Sequence, residues 1–212
     1  MLEILPFIIP QANLPLKLKK ERFYWKREIF RKAVHLLGCA FPLLAVLNRT
    51  LIIYILLGTI IIYSFSEVLR YMGISLPIVS YVTRRAQRYN ETKGIIIGPM
   101  LLALGILAAI LFFDFKVYLP AILIVSVSDS LSALVGKKFG KIYIFKLKNR
   151  TVQGSTVFFL SSLGILLFTV PVQIAFPAAV IVTLFELIPI YNLDNFIIPL
   201  GTAFFLHFTM GL

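Results

Sequence analysis

Acidic residues are scarce in this chain of 212 residues: nine Asp and Glu stand against 21 Lys and Arg, a formal net charge of +12. Charged residues of both signs reach only 14%, where a soluble domain carries about 25%. That shortage excludes a disordered chain and an ordinary cytosolic enzyme. Cys39 is the one cysteine, so no intramolecular disulfide can form and a cysteine metal knuckle has no basis. Also missing are internal repeats, low-complexity tracts, a Walker A sequence and the protein-kinase signature set. Residues 2–9 are apolar but too short to span a membrane. Pro6, Pro10 and Pro15 interrupt them and their surroundings, and they lack the basic start of a signal peptide.

Hydrophobic side chains are abundant, at 59% with mean hydropathy +0.94. A pI near 10.0 suits a nucleic-acid binder, but such a protein needs no series of uninterrupted apolar runs. A membrane-crossing helix needs roughly 20 mostly apolar residues. Seven stretches qualify: about 33–47, 51–69, 95–113, 117–135, 155–170, 172–191 and 196–212. The first reaches span length only by drawing in Phe30 or its basic flank. The fifth and sixth meet at Pro171 as a hairpin. The expected fold is all-α: a polytopic integral membrane protein of about seven transmembrane helices. A basic interfacial segment, 1–27, precedes one membrane domain, 28–212.

The basic residues alternate between the connections. The N-terminal segment carries Lys17, Lys19, Lys20, Arg22, Lys26, Arg27, Arg31 and Lys32. The second connection carries Arg70, Arg84, Arg85, Arg88 and Lys93, and the fourth carries Lys137, Lys138, Lys141, Lys146, Lys148 and Arg150. Only Arg49 and Lys116 fall in the intervening connections. By the positive-inside rule the N-terminus is cytoplasmic and the C-terminus outside.

Ionisable groups inside a span are costly and ask for a reason. Glu28, Arg31, Lys32 and His35 recur at i, i+3, i+4 and i+7, one stripe of a helix. Glu67 ends the second span, Asp129 approaches the end of the fourth, Glu186 nears the end of the sixth and Asp194 opens the seventh. In the expected topology all these ends share one leaflet. Each has a plainer explanation. Glu28, Arg31 and Lys32 could form a solvated turn, His35 could be packed, Glu67 could pair with Arg70, and Asp194 with Asn195 could cap a helix. Asp129 and Glu186 have no basic neighbour close in sequence. Asp114 falls on the opposite side as a helix-end residue, and His207 reads as structural.

Carboxylates at a membrane face attract divalent cations, and Mg²⁺ usually arrives with phosphate. The loop 136–154 offers the matching positive charge. Gly136 and Gly140 allow close backbone approach, and Thr151, Gly154, Ser155 and Thr156 open the fifth span with free N–H groups and hydroxyls. Contact with anionic headgroups alone is the simpler use of such a loop.

These residues resemble a known pattern. Asp129-Ser-Leu-Ser132-Ala-Leu-Val-Gly136-Lys-Lys-Phe-Gly140, eight further residues, then Asn149-Arg150-Thr151-Val-Gln153-Gly154 is similar to the CTP-binding signature of dolichol kinases and their relatives. That signature reads D-x-x-A-x-x-x-G-x-x-x-G-x(8)-K-K-T-x-E-G. The spacing agrees throughout. Ser132 replaces Ala, Asn149 and Arg150 replace the two Lys, and Gln153 replaces Glu. Glu28-x-x-Arg31-Lys32-x-x-His35, and Glu186 followed by Asp194-Asn195 and Pro199, look like flanking patterns of the same family. The chain resembles its compact form, shared by phytol, farnesol and polyprenol kinases and the CTP-dependent diacylglycerol kinase.

The resemblance implies transfer of the CTP γ-phosphate to the hydroxyl of a membrane lipid alcohol, with Mg²⁺, on the cytoplasmic side. It implies Asp129 as Mg²⁺ ligand, with Glu186 or Asp194 sharing the metal or orienting the alcohol. Glu28 and His35 complete the catalytic set, with Arg31, Lys32, Glu67 and Asn195 in support. Gly136, Lys137, Lys138, Gly140, Lys148, Arg150, Thr151, Gly154 and Ser155 hold the nucleotide. A CDP-diacylglycerol synthase-like cytidylyltransferase is the nearest rival, but its H-G-G…D-R-x-D ending is absent. A transporter would place carboxylates near the bilayer midplane and on both sides.

Overall fold

Apolar backbone removed from water must satisfy its own N–H and C=O groups, and a helix does so within one segment. The computed structural model of the chain follows that rule. It describes residues 16–74, 76–86, 94–144, 150–188 and 193–211. The elements are α1 (Leu16–Leu36), a 3₁₀ turn (Leu37–Cys39), α2 (Ala40–Leu47), α3 (Arg49–Tyr71), α4 (Pro77–Ala86), α5 (Gly98–Phe112), α6 (Phe115–Leu123), a π-helical segment (Ile124–Ser128), α7 (Asp129–Phe139), α8 (Val152–Thr169), α9 (Val172–Leu187) and α10 (Asp194–Met210). Among the described residues the extended structure is one isolated bridge, Tyr143 to Thr151.

Four helical stretches are long and apolar enough to cross a membrane: Tyr24–Leu47, Arg49–Tyr71, Phe115–Phe139 and Val152–Thr169. The first becomes long by running through its basic flank. Three more expected spans form shorter helices, α5 of 15 residues, α9 of 16 and α10 of 17. At 1.5 Å per residue these measure about 22–26 Å, less than the roughly 30 Å of a hydrocarbon core. Of these three, α5 has the largest share of its residues buried, among them Leu102, Gly105, Ile106, Leu107, Ala109 and Ile110.

The second connection contains a helix that hydrophobic span-counting passed over. α4 starts with Pro77 at its first position, where the missing N–H costs nothing, and ends with Arg84 and Arg85. It lies against α1 and α3. The Arg85 guanidinium sits 6.0 Å from the Phe30 ring and 5.0 Å from the Tyr81 ring, a cation–π arrangement.

The core is aliphatic and rich in small residues: Ala109, Ala121, Ala175, Ala178, Ala179 and Ala203 are completely buried beside Ile110, Ile122, Leu166 and Leu206. Small side chains let helices approach where lipid supplies no hydrophobic drive between them. Large apolar side chains point outward instead, among them Tyr54, Ile61, Ile62 and Phe65 of α3 and Phe168 of α8.

At one end of the bundle, Arg49 closes α5. Its guanidinium donates to Ile110 O (3.0 and 2.6 Å), Leu111 O (3.3 Å) and Phe113 O (3.2 Å). The last carbonyls of a helix lack intrahelical partners, and here one side chain supplies several. Asn48 caps the other side of the same corner by accepting from Leu51 N at 2.9 Å. His207 packs edge-on against Phe113 at 5.6 Å, a packing role. Asp114 precedes α6 without a capping side-chain bond.

Candidate active site

The opposite end gathers the ionisable residues. α7 runs ten residues past Asp129 to Phe139, so Asp129 lies about 15 Å along the axis from the helix end at 1.5 Å per residue. It is deeper than a span ending at Val135 would put it. The π-helical segment leads directly into it. A π turn leaves a carbonyl without its usual i+4 amide, and Ser130 Oγ donates to Ser126 O at 2.6 Å. Ser130 therefore serves the irregular backbone that leads into Asp129.

Asp129 is 3% exposed. Lys32 Nζ of α1 donates to its Oδ2, and His35 Nδ1 lies 3.5 Å from the same oxygen. The α1 stripe thus reaches α7 with two of its four members. The other two meet nearby, where Glu28 accepts from Arg31 through Oε1 and from Lys137 through Oε2. Lys137 bends back from α7, so α1 and α7 are tied at both levels.

Arg150 joins the remaining carboxylates. Its Nη1 donates to Glu186 Oε1 of α9, and its Nη2 donates to Asp194 Oδ2 of α10 at 3.1 Å. Ser155 Oγ donates to Glu186 Oε2 at 3.2 Å. Glu186 is 2% exposed. Asp129 and Glu186 are close enough to act on one another electrostatically, as are Asp129 and Arg150. Four carboxylates, Glu28, Asp129, Glu186 and Asp194, therefore meet four cations, Arg31, Lys32, Lys137 and Arg150. Removing a buried charge from water is tolerable when it is paired and hydrogen-bonded.

The glycines of the 136–154 stretch meet at one joint. A Cβ on Gly136 would stand 3.0 Å from Thr151 Oγ1 and 3.4 Å from Gly154 Cα. A Cβ on Gly154 would stand 3.1 Å from both Ser132 O and Thr151 Oγ1, and one on Gly140 would stand 2.6 Å from Thr151 Cγ2. Helices α7 and α8 touch backbone to backbone here. Thr151 is also the N-cap of α8, accepting from Gly154 N at 3.2 Å. Gln153 accepts from Lys141 N (3.1 Å) and Ile142 N (3.4 Å). Ile144 N donates to Arg150 O at 3.0 Å, and Val152 N donates to Ile142 O at 2.9 Å. An uncharged amide at 153 is therefore enough to anchor the base of the loop.

Two expected site residues stand apart. Glu67 binds Arg70 of its own helix and accepts from Ile96 N at 2.8 Å. It ties α3 to the chain entering α5. Asn195 donates from Nδ2 to Gly98 O at 3.1 Å, fastening α10 to the start of α5. Lys138 is exposed and lies 5.2 Å over the Phe139 ring. Lys148 and Asn149, together with Arg88, Lys93, Lys146, Asn192 and the stretch 1–15, lie outside the described residues.

Residue-type patterning anticipated the gathering but not the pairing. Nothing in the sequence announces that Arg150 spans Glu186 and Asp194, or that the serines before Asp129 accompany a π turn. Among the described residues no three Asp, Glu, His or Cys side chains could hold a metal by themselves. Comparison with known protein families, curated proteins and solved structures returns no match for this chain.

Proposed function

We propose that this protein is a membrane-embedded kinase that transfers the γ-phosphate of CTP to the hydroxyl of a lipid alcohol of the polyprenol, dolichol or phytol type. The observation that carries the reading is the convergence of Asp129, Glu186 and Asp194 with Lys32, Lys137 and Arg150 beside the glycine joint of α7 and α8. In this reading seven helices span the membrane. The three short ones cross with their ends shielded by protein, which the bilayer tolerates. The N-terminus and the site face the cytoplasm, following the bias of Lys and Arg to one side.

Phosphoryl transfer needs positioning and charge neutralisation more than covalent help from the protein. Lys138, Lys141 and the α8 N-terminus meet the triphosphate as it arrives, and Lys137 and Arg150 turn toward it. Asp129 fits Mg²⁺, which typically takes only one or two carboxylates and completes its shell with phosphate and water. When bound, the ion would neutralise charge on the phosphate oxygens. Lys32 and Arg150 hold the carboxylates in place beforehand. Glu186, hydrogen-bonded to Ser155, orients the alcohol and receives its proton.

The test uses the full chain purified in detergent, Mg²⁺, and CTP labelled at either the α or the γ phosphate, with a panel of lipid alcohols. Label passing to lipid from the γ position alone is the expected result. Label from the α position would identify a cytidylyltransferase. No transfer to any lipid would overturn the reading.

A further inference from the structure

Gly73 bends the chain out of α3. It stands at φ +90°, the left-handed region that glycine enters without a Cβ penalty. Gly73 N donates to Arg70 O (3.1 Å) and Ile74 N donates to Leu69 O (2.9 Å), the paired bonds that close a helix at such a residue. The outward stripe of α3 runs through Tyr54, Ile61, Phe65, Val68 and Met72, all exposed and set at helical spacing. A stripe of that kind on a membrane-spanning helix meets hydrocarbon. Tyr71, Met72 and Ile74 carry the exposed apolar surface through the turn, and α4 starts at Pro77.

α4 has 10 residues, about 15 Å at 1.5 Å per residue, too short to cross a bilayer. Its sides differ. Val79 is half-buried and Thr83 buried, one turn apart on the side against α1 and α3. Tyr81, Val82, Arg84 and Arg85 are exposed. The Arg85 guanidinium rests against the Tyr81 and Phe30 rings at 5.0 and 6.0 Å. A guanidinium stacked on aromatic rings keeps its planar fork of N–H donors for a phosphate. Lys26, exposed on α1, lies one turn before Phe30 on the same side of that helix. Among the described residues Lys26, Arg84 and Arg85 make no ion pair, whereas Glu28 of α1 is committed to Arg31 and Lys137. A short helix of this kind lies in the plane of the interface, with its apolar side in the acyl boundary and its cations among the headgroups. A free phosphate would need the charges alone. The apolar fringe of Met72, Ile74 and Val82 calls for an acyl chain beside them.

We propose that α4 is an in-plane interfacial helix and that Arg84 and Arg85, with Lys26, seat the phosphate of an anionic phospholipid of the bilayer, its acyl chains running along Val82, Met72 and Ile74. This stands apart from the kinase reading and needs only a chain that spans the membrane. Through Phe30 the seat also fastens the basic end of α1 to the leaflet.

Two measurements on the full chain in lipid nanodiscs decide the matter. In the first, Val82→Trp is made with Trp25, the one native tryptophan, changed to Phe, and the nanodisc lipids carry bromine either high or low on their acyl chains. Stronger quenching by the high bromines is expected. Quenching by neither, or no stronger by the high than by the low, would overturn the in-plane helix. In the second, phosphatidylglycerol and phosphatidylcholine are mixed in graded proportion, and native mass spectrometry counts the lipids that leave with the protein. Wild type should retain phosphatidylglycerol in preference. Arg84→Gln/Arg85→Gln should raise the phosphatidylglycerol fraction needed for half retention about tenfold, equivalent to about 1.4 kcal/mol. That lies within the roughly 1 kcal/mol that each basic residue contributes near a charged leaflet. Arg84→Lys/Arg85→Lys, which keeps the charges, should stay close to wild type, as should Lys116→Gln at the other end of the bundle. No preference in wild type, unchanged retention in the glutamine pair, or an equal loss from the lysine pair or from Lys116→Gln would overturn the seat.

Discussion

Lys32 and Asp129 are 97 residues apart in sequence and both almost fully buried. Sequence patterning could place each on a helix and at a leaflet, but a pairing of that separation is a product of tertiary packing. Breaking one partner of such a pair costs about 3–5 kcal/mol, because the other is left charged and buried. Asp129→Asn is therefore expected to abolish γ-phosphate transfer and lower the melting temperature in detergent. Lys32→Met should lower it by a similar amount, with Asp129 retaining His35 and the field of Arg150. The double variant Lys32→Met/Asp129→Leu removes both charges and should melt above either single variant while remaining inactive. Melting and labelled-CTP transfer, measured on the same preparations, separate the two roles. If Asp129→Asn turns over normally, Asp129 is not in the reaction. Glu67 was legible in a different sense: its i+3 neighbour Arg70 explains most of its charge, and it joins α3 to Ile96 and not to the cluster.

Among the elements, the long apolar runs were readable because hydrophobic length is a local property. α4 was not, since ten residues with two arginines lack the length of a span. Its sequence signs are subtler: Pro77, the terminal basic pair and an amphipathic alternation of apolar and polar residues between them. Arg49 shows the same limit. In sequence it marks an outer connection, and in the structure it caps α5 through carbonyls of residues 110, 111 and 113. Hydrogen bonds from a charged donor contribute about 1.5–3 kcal/mol, so Arg49→Met should destabilise the protein by that order and leave the KM for CTP unchanged. A raised CTP KM would mean that the outer end is coupled to the site. The glycine joint makes the opposite prediction. Gly154→Val puts a branched side chain 3.1 Å from Ser132 O, and the α7–α8 contact must open. A shift of about 1 Å near a reacting centre can cost about a hundredfold in rate, and that loss is expected. Gly58→Val, with nothing within 4 Å of the added Cβ, serves as the control and should behave as wild type.

For the whole molecule, the division of charge yields a direct test of orientation. Lys116 and Lys138 are both exposed, one at each end of the Phe115–Phe139 helix. With Cys39 replaced by serine, an impermeant maleimide added to intact cells should label Lys116→Cys and leave Lys138→Cys until the membrane is opened. The reverse pattern would invert the topology. The ion pairs also bear on how the chain is made. Lys32 emerges from the ribosome 97 residues before Asp129, and Glu28 precedes Lys137 by 109. Until α7 exists, Lys32 lacks Asp129, and Glu28 has Arg31 of its own helix but not Lys137. If α1 enters the membrane as proposed, its charges are fully paired only after more than half of the chain has been made, so truncation before Asp129 is expected to leave α1 extractable from the membrane by alkaline carbonate while the full chain resists it.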